Sequence, residues 1–216
     1  MKTNITEIVF ILDRSGSMSG LEEETIGGYN SLIKKQRDLP GEAVVPTVLF
    51  DNQYEVLHDR INIKAVKPVT AEEYYVRGNT ALLDAMGKTI NKIGNAQKQT
   101  APKYRADKVI VVITTDGMEN SSREYSLKKV KSMVEHQQNK YGWEFLFLGA
   151  NMDAISTAGQ MGIRADRASN FHADRDGVDV QYECFRGIVE CLRKETPLPG
   201  NWQEDMETAY QKRKAK

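Results

Sequence analysis

Three stretches of this chain, Ile8–Leu12, Val109–Ile113 and Phe145–Leu148, are apolar at every successive position rather than at alternate ones. A strand with one face in water alternates, because successive side chains point to opposite faces. A run that is apolar throughout needs cover on both faces, as inside a parallel sheet with helices above and below. The intervening segments supply those helices. Over Leu21 to Arg37, the residues Ile26, Tyr29 and Ile33 share one face, and Pro40-Gly41 stops the pattern. Leu82, Ala85, Met86, Thr89, Ile90 and Ile93 recur at helical spacing and form the clearest buried stripe. Further helices are expected near Tyr125–Asn139, with Leu127, Val130 and Val134 inward, over Asp153–Met161, and from Val178 to Lys194.

Strand alternating with helix predicts an α/β fold, a doubly wound, mostly parallel sheet with helices on both faces and right-handed crossovers. Ala43–Phe50 and Tyr54–His58 flank a short turn at Asn52-Gln53 and read as an antiparallel pair. Ile61–Val69 is expected to add a short extended stretch, Gly94–Asp107 a polar insert, and Ala168–Phe171 a last edge strand. The 216 residues suit one domain with a substantial core, taken as residues 1–196. Pro197-Leu-Pro199-Gly200 ends it, and residues 197–216 read as a short C-terminal appendage, partly disordered or helical.

Lys plus Arg and Asp plus Glu balance at 30 each, so the chain carries no electrostatic footprint for nucleic acid or an anionic membrane. The basic cluster from Lys212 to Lys216 reads as a solvated tail. No apolar run approaches the roughly 20 residues that span a bilayer. Met1-Lys2-Thr3 leads straight into a strand, so a cytoplasmic location is expected. Cys184 and Cys191, seven apart in a helix, would lie about 10 Å apart along the axis. A disulfide needs less than about 7 Å, so both read as buried free thiols of a reducing compartment. His58, His136 and His172 are scattered and suggest no histidine site.

The first apolar run ends in Asp13-Arg14-Ser15-Gly16-Ser17, one carboxylate and two hydroxyls spaced by single residues. Oxygen donors of this kind select a hard cation such as Mg²⁺, and also admit Mn²⁺ or Ca²⁺. The alternative use of these residues is to cap the following helix. In a doubly wound sheet, ligands bind beyond the carboxyl ends of the strands where strand order reverses. That edge also receives Asp116, after the run 109–113, and Thr80, before the best helix. Asp13, Ser15, Ser17, Thr80 and Asp116 are therefore expected to converge on one metal, and Thr80 to serve as helix cap as well. Asp51 reads as an ordinary turn residue. Glu119-Asn120-Ser121-Ser122 either rims the site or is a solvated loop, and Tyr74-Tyr75 is either a contact patch or packing. Met133, Met152 and Met161 are expected to fill core gaps.

At these residues the sequence resembles the von Willebrand factor A domain with its metal-ion-dependent adhesion site. Asp13-Arg-Ser15-Gly-Ser17-Met18 matches the family's Asp-x-Ser-x-Ser loop, Gly78-Asn79-Thr80-Ala81-Leu82 its threonine loop, and Thr115-Asp116-Gly117 its aspartate loop. Asn79, where a second glycine often stands, departs from the pattern without removing a ligand. The resemblance covers Ile5 to Glu195 and implies strand order 3-2-1-4-5-6 with one short antiparallel edge strand. Within the family the chain looks most like the small stand-alone bacterial and phage proteins. The resemblance implies a non-enzymatic, metal-dependent protein-binding module, a monomer or weak oligomer, whose metal is completed by a partner's Asp or Glu. An accessory subunit of a bacterial ATPase or of a stress or phage-response system is a version of the same reading. A metal-dependent hydrolase is the contrasting one, and the absence of a candidate base beyond the carboxylates argues against it.

Overall fold

A computed structural model describes residues 3–150, 152–171, 174–198 and 202. Six strands form one sheet: β1 (Ile5–Asp13), β2 (Glu42–Phe50), β3 (Tyr54–Asn62), β4 (Lys108–Thr115), β5 (Glu144–Ala150) and β6 (Ala168–Phe171). Their order is β3-β2-β1-β4-β5-β6. Every neighbouring pair is parallel except β2 and β3. The helices are α1 (Glu22–Arg37), α2 (Leu82–Gln99), α3 (Leu127–Tyr141), α4 (Ala154–Gln160) and α5 (Arg175–Lys194). None of the described helices is long and apolar enough to cross a membrane.

The continuous apolar runs are explained by two core layers. Ile8, Phe10 and Leu12 of β1 face one layer with Tyr29, Leu32 and Ile33 of α1 and Phe185, Ile188 and Val189 of α5. Val9 and Ile11 face the other, with Leu82, Met86, Ile90 and Ile93 of α2 and Val130 and Val134 of α3. Met161 is enclosed in this second layer, and Met133 and Met152 pack against it, as expected of gap-filling methionines. The first layer closes tightly where α1 meets α5: a Cβ built on Gly28 would stand 2.1 Å from the Tyr182 ring.

The sequence reading needs correction at several places. Helix α2 continues past Gly94 to Gln99, because Gln97 is buried and extends the inward stripe by one turn. The stretch after His58 is not a separate strand: β3 runs on to Asn62, and Ile63–Ala65 forms a 3₁₀ turn whose Lys64 N–H donates to the Asn62 side chain at 3.0 Å. Leu127, the first residue of α3, is 39% exposed rather than inward. Cys184 and Cys191 are only half-buried, not buried as expected. Of the 197–216 segment, Leu198 and Trp202 pack against the first layer and Pro197 is in neither helix nor strand; the rest, with the basic cluster from Lys212, lies outside the described residues.

Candidate metal centre

Parallel pairing brings the ends of β1 and β4 level, with Leu12 opposite Thr114, so Asp13 and Thr115 emerge side by side. Asp13 is fully buried. Its Oδ1 accepts the Ser15 backbone N–H at 2.7 Å and its Oδ2 the Thr115 hydroxyl at 2.5 Å. From there a line of hydroxyls crosses the site. Thr80 Oγ1 donates to Ser15 Oγ at 3.0 Å, Ser15 Oγ and Ser17 Oγ stand 3.0 Å apart, and Ser17 Oγ donates to Asp116 Oδ1 at 2.5 Å. Thr80, Ser15, Ser17 and Asp116 are thus joined in one continuous line of oxygens, and Asp13 meets that line through the Ser15 backbone N–H.

Backbone geometry makes the convergence possible. Gly16 N–H donates to Gly78 O at 3.0 Å, which joins the first loop to the second. A Cβ on Gly117 would lie 2.6 Å from Thr80 Oγ1 and 3.0 Å from Ser17 Oγ, so only glycine lets the third loop come this close. The capping alternative is not what these hydroxyls do. Neither the turn Gly16–Met18 nor α1 nor α2 has a side-chain cap at its N-cap residue, and those residues are Ser15, Leu21 and Ala81. Thr80 therefore turns its hydroxyl to Ser15 and leaves capping to others: Leu83 N–H donates to Glu119 Oε2 at 2.9 Å and Asp84 N–H to Ser122 Oγ at 3.0 Å.

Burial pushes the Asp13 carboxyl up to about 6, against the hydrogen bonds from Thr115 and Ser15, and the Asp116 charge adds to the rise. Burial likewise raises Asp116, while Ser17 holds it down. Two carboxylates are thus enclosed together without a counter-charge among the described residues. The nearest guanidiniums point elsewhere: Arg14 and Arg77 both donate to Asp51. Among the described residues no three His, Cys, Asp or Glu side chains gather at one point. The donor set here is oxygen alone, mostly hydroxyl, and it fits a hard divalent cation.

Several residues bearing on the site were not singled out correctly by sequence. Asp51 is no ordinary turn residue: it is fully buried and also accepts the Gln53 N–H at 2.6 Å. Tyr74 is buried and donates its hydroxyl to Asp13 O at 2.6 Å, whereas Tyr75 is 43% exposed. The segment Glu119–Ser122 is not a solvated loop: Glu119 accepts from Leu83, Ser121 and Ser122, and Asn120 Oδ1 accepts the Thr80 N–H at 3.0 Å. Local sequence carries no signal for this, because the helix start that the segment serves, that of α2, lies 36 to 38 residues earlier.

No protein-family model matches the chain, and no curated protein sequence matches it. Solved structures do. Proximal thread matrix protein 1 from the mussel byssus, with a zinc-occupied metal-ion-dependent adhesion site motif, aligns at TM-score 0.58 and 16% identity, over 85% of this chain and 45% of that one. A von Willebrand factor type A structure from Catenulispora acidiphila aligns at TM-score 0.59 and 14% identity, over 84% of this chain and 42% of that one. The von Willebrand factor domain of the type V pili tip protein Mfa5 from Porphyromonas gingivalis gives 0.60 and 9%, over 86% of this chain and 95% of that one. The chain spans less than half the length of the first two. With its strand order and antiparallel edge, this chain has the fold of the von Willebrand factor A domain.

Proposed function

We propose that the chain is a protein-binding module that works through a divalent cation, Mg²⁺ by preference, held by Asp13, Ser15, Ser17, Thr80 and Asp116. The observation that carries this reading is the line of hydroxyls from Thr80 through Ser15 and Ser17 to Asp116, none of which caps a helix. Neutral hydroxyls leave a bound cation under-neutralised, so it keeps attraction for one more anionic oxygen. A carboxylate from a partner's Asp or Glu suits that role. The side chains described around the site are carboxylates and hydroxyls already bonded to one another, which favours holding a ligand over activating water. Cys191, a free thiol, suits a reducing compartment such as the cytoplasm.

The test is a titration of the purified chain with Mn²⁺, followed by water-proton relaxation, with Mg²⁺ as competitor. Addition of a short peptide containing Asp should displace metal-bound water, and the same peptide with Asn should not. Thr80→Ala and Asp13→Ala should weaken Mn²⁺ binding by at least tenfold. A wild-type chain that binds no Mn²⁺, or a Thr80→Ala chain that binds it equally well, would sink the reading.

A further inference from the structure

Thr80 and Asp116 belong to loops 36 residues apart, yet their oxygens must hold one cation with sub-ångström tolerance. Between β4 and α3 lie eleven residues, 116–126, without helix or strand. A free loop of that length would have to be ordered each time a metal bound, at a cost in conformational entropy for every residue fixed. The structure removes that freedom by lacing the loop to the start of α2.

The lacing is reciprocal. Asp84, in the first turn of α2 and 9% exposed, accepts three backbone N–H groups of the loop: Arg123 on Oδ2, and Glu124 and Tyr125 on Oδ1, each at 2.9 Å. Burial would raise this carboxyl, but the three N–H donors, helped by Lys88, hold it below its usual range. Thr80 O likewise accepts Asn120 N–H at 3.0 Å and Ser121 N–H at 3.2 Å, while in the opposite direction the loop's Glu119 accepts the Leu83 N–H at 2.9 Å and its Asn120 Oδ1 the Thr80 N–H at 3.0 Å. Asp84 shares no hydrogen bond with any of the five candidate metal-binding residues.

We infer that Asp84 is a positioning residue for the metal centre, fixing the distance between the Thr80 and Asp116 loops through its three backbone hydrogen bonds. The inference rests on the metal reading above. A carboxylate is suited to the task because it accepts on both oxygens at once, which no neutral side chain of that length does.

The test compares Mn²⁺ affinity with urea midpoint for wild type, Asp84→Ala, Asp84→Asn and Val134→Ala. Val134 is fully buried on α3 in the second apolar layer, so its truncation lowers stability without removing a loop hydrogen bond. Asp84→Ala should weaken Mn²⁺ binding about tenfold or more. Asp84→Asn keeps one acceptor oxygen and should lose less, and it carries the comparison if the alanine variant does not fold. Val134→Ala should bind as wild type at a temperature where it remains folded. Equal affinity in wild type and the Asp84 variants would overturn the inference and leave the metal reading intact. Equal weakening in Val134→Ala would overturn it too, by making the effect one of stability. A wild-type chain that binds no Mn²⁺ would instead remove the metal reading, and the inference with it.

Discussion

Arg14 and Arg77, on two different loops, both aim Nε at the same oxygen of Asp51, at 3.1 and 2.7 Å. Arg14 occupies the position between Asp13 and Ser15, and its side chain is fully buried. Its other strong contact is Glu55, 2.6 Å from Nη2, and the Tyr75 ring lies 5.2 Å from its guanidinium carbon. Asp51 therefore ties the first site loop to the second and holds the Nε of both arginines.

Removing Asp51 leaves a buried cation with Glu55 alone. Loss of one partner of a buried pair typically costs about 3–5 kcal/mol. Asp51→Ala should therefore lower the urea midpoint sharply. Glu55 is 47% exposed, and Glu55→Ala should cost about 1 kcal/mol or less. Equal losses in the two variants would show that the Asp51 contact contributes no more than a surface pair.

Gly117→Ala places a methyl where Thr80 Oγ1 and Ser17 Oγ now stand, at 2.6 and 3.0 Å. The site must open before the loop can fit. A displacement of about 1 Å is enough to spoil a coordination set, so Mn²⁺ affinity should fall at least tenfold while far-ultraviolet circular dichroism stays unchanged. Retention of wild-type affinity would mean the two hydroxyls are not metal ligands.

The fold was legible because the runs at 8–12, 109–113 and 145–148 leave no polar position, and a strand of that kind has few places to go. The convergence of Asp13, Ser15, Ser17 and Asp116 was legible because strand ends in such a sheet share one edge, and that of Thr80 because its loop enters α2 at the same edge. Asp51 and Asp84 were not. A carboxylate after a strand, or in the first turn of a helix, is common for reasons of local turn chemistry and helix dipole. Only the tertiary structure shows that Asp51 receives two guanidiniums, and Asp84 three N–H groups, from distant segments. The end of α2 differs for a related reason: residues 94–99 read as polar insert, but Gln97 is buried and donates to Glu7, a contact that only the tertiary structure shows.

Adjacent glycines in α1 should respond in opposite senses. Gly27 is exposed with nothing within 4 Å of a built Cβ, so Gly27→Ala should stabilise by about 0.5–1 kcal/mol through helix propensity. Gly28 is occupied by the Tyr182 ring, and Gly28→Ala should cost about 1–3 kcal/mol by overpacking. Thermal melts of the two variants against wild type check this, and a stabilised Gly28→Ala would mean that α5 does not pack on α1 as described.

His58 gives the fold an acid-side sensitivity. Its Nδ1 lies 3.1 Å from Thr47 Oγ1 and 3.3 Å from the Tyr29 hydroxyl, and its ring stacks on Tyr29 with centroids 6.4 Å apart. Burial lowers its pKa below the usual 6.5, and the Glu73 charge offsets this only in part. The unfolded chain therefore takes up a proton at higher pH than the folded one. The stability that neutral His58 contributes is complete above about 6.5 and is lost as pH falls through the lower, folded value. The slope in that window cannot exceed about 1.4 kcal/mol per pH unit for one group. His58→Gln keeps a hydrogen-bonding side chain and removes the titration. Urea unfolding at pH 7.5, 6.5 and 5.5 should show wild type losing stability relative to His58→Gln as pH falls; parallel curves would mean that His58 protonates as readily in the folded chain as in the unfolded one.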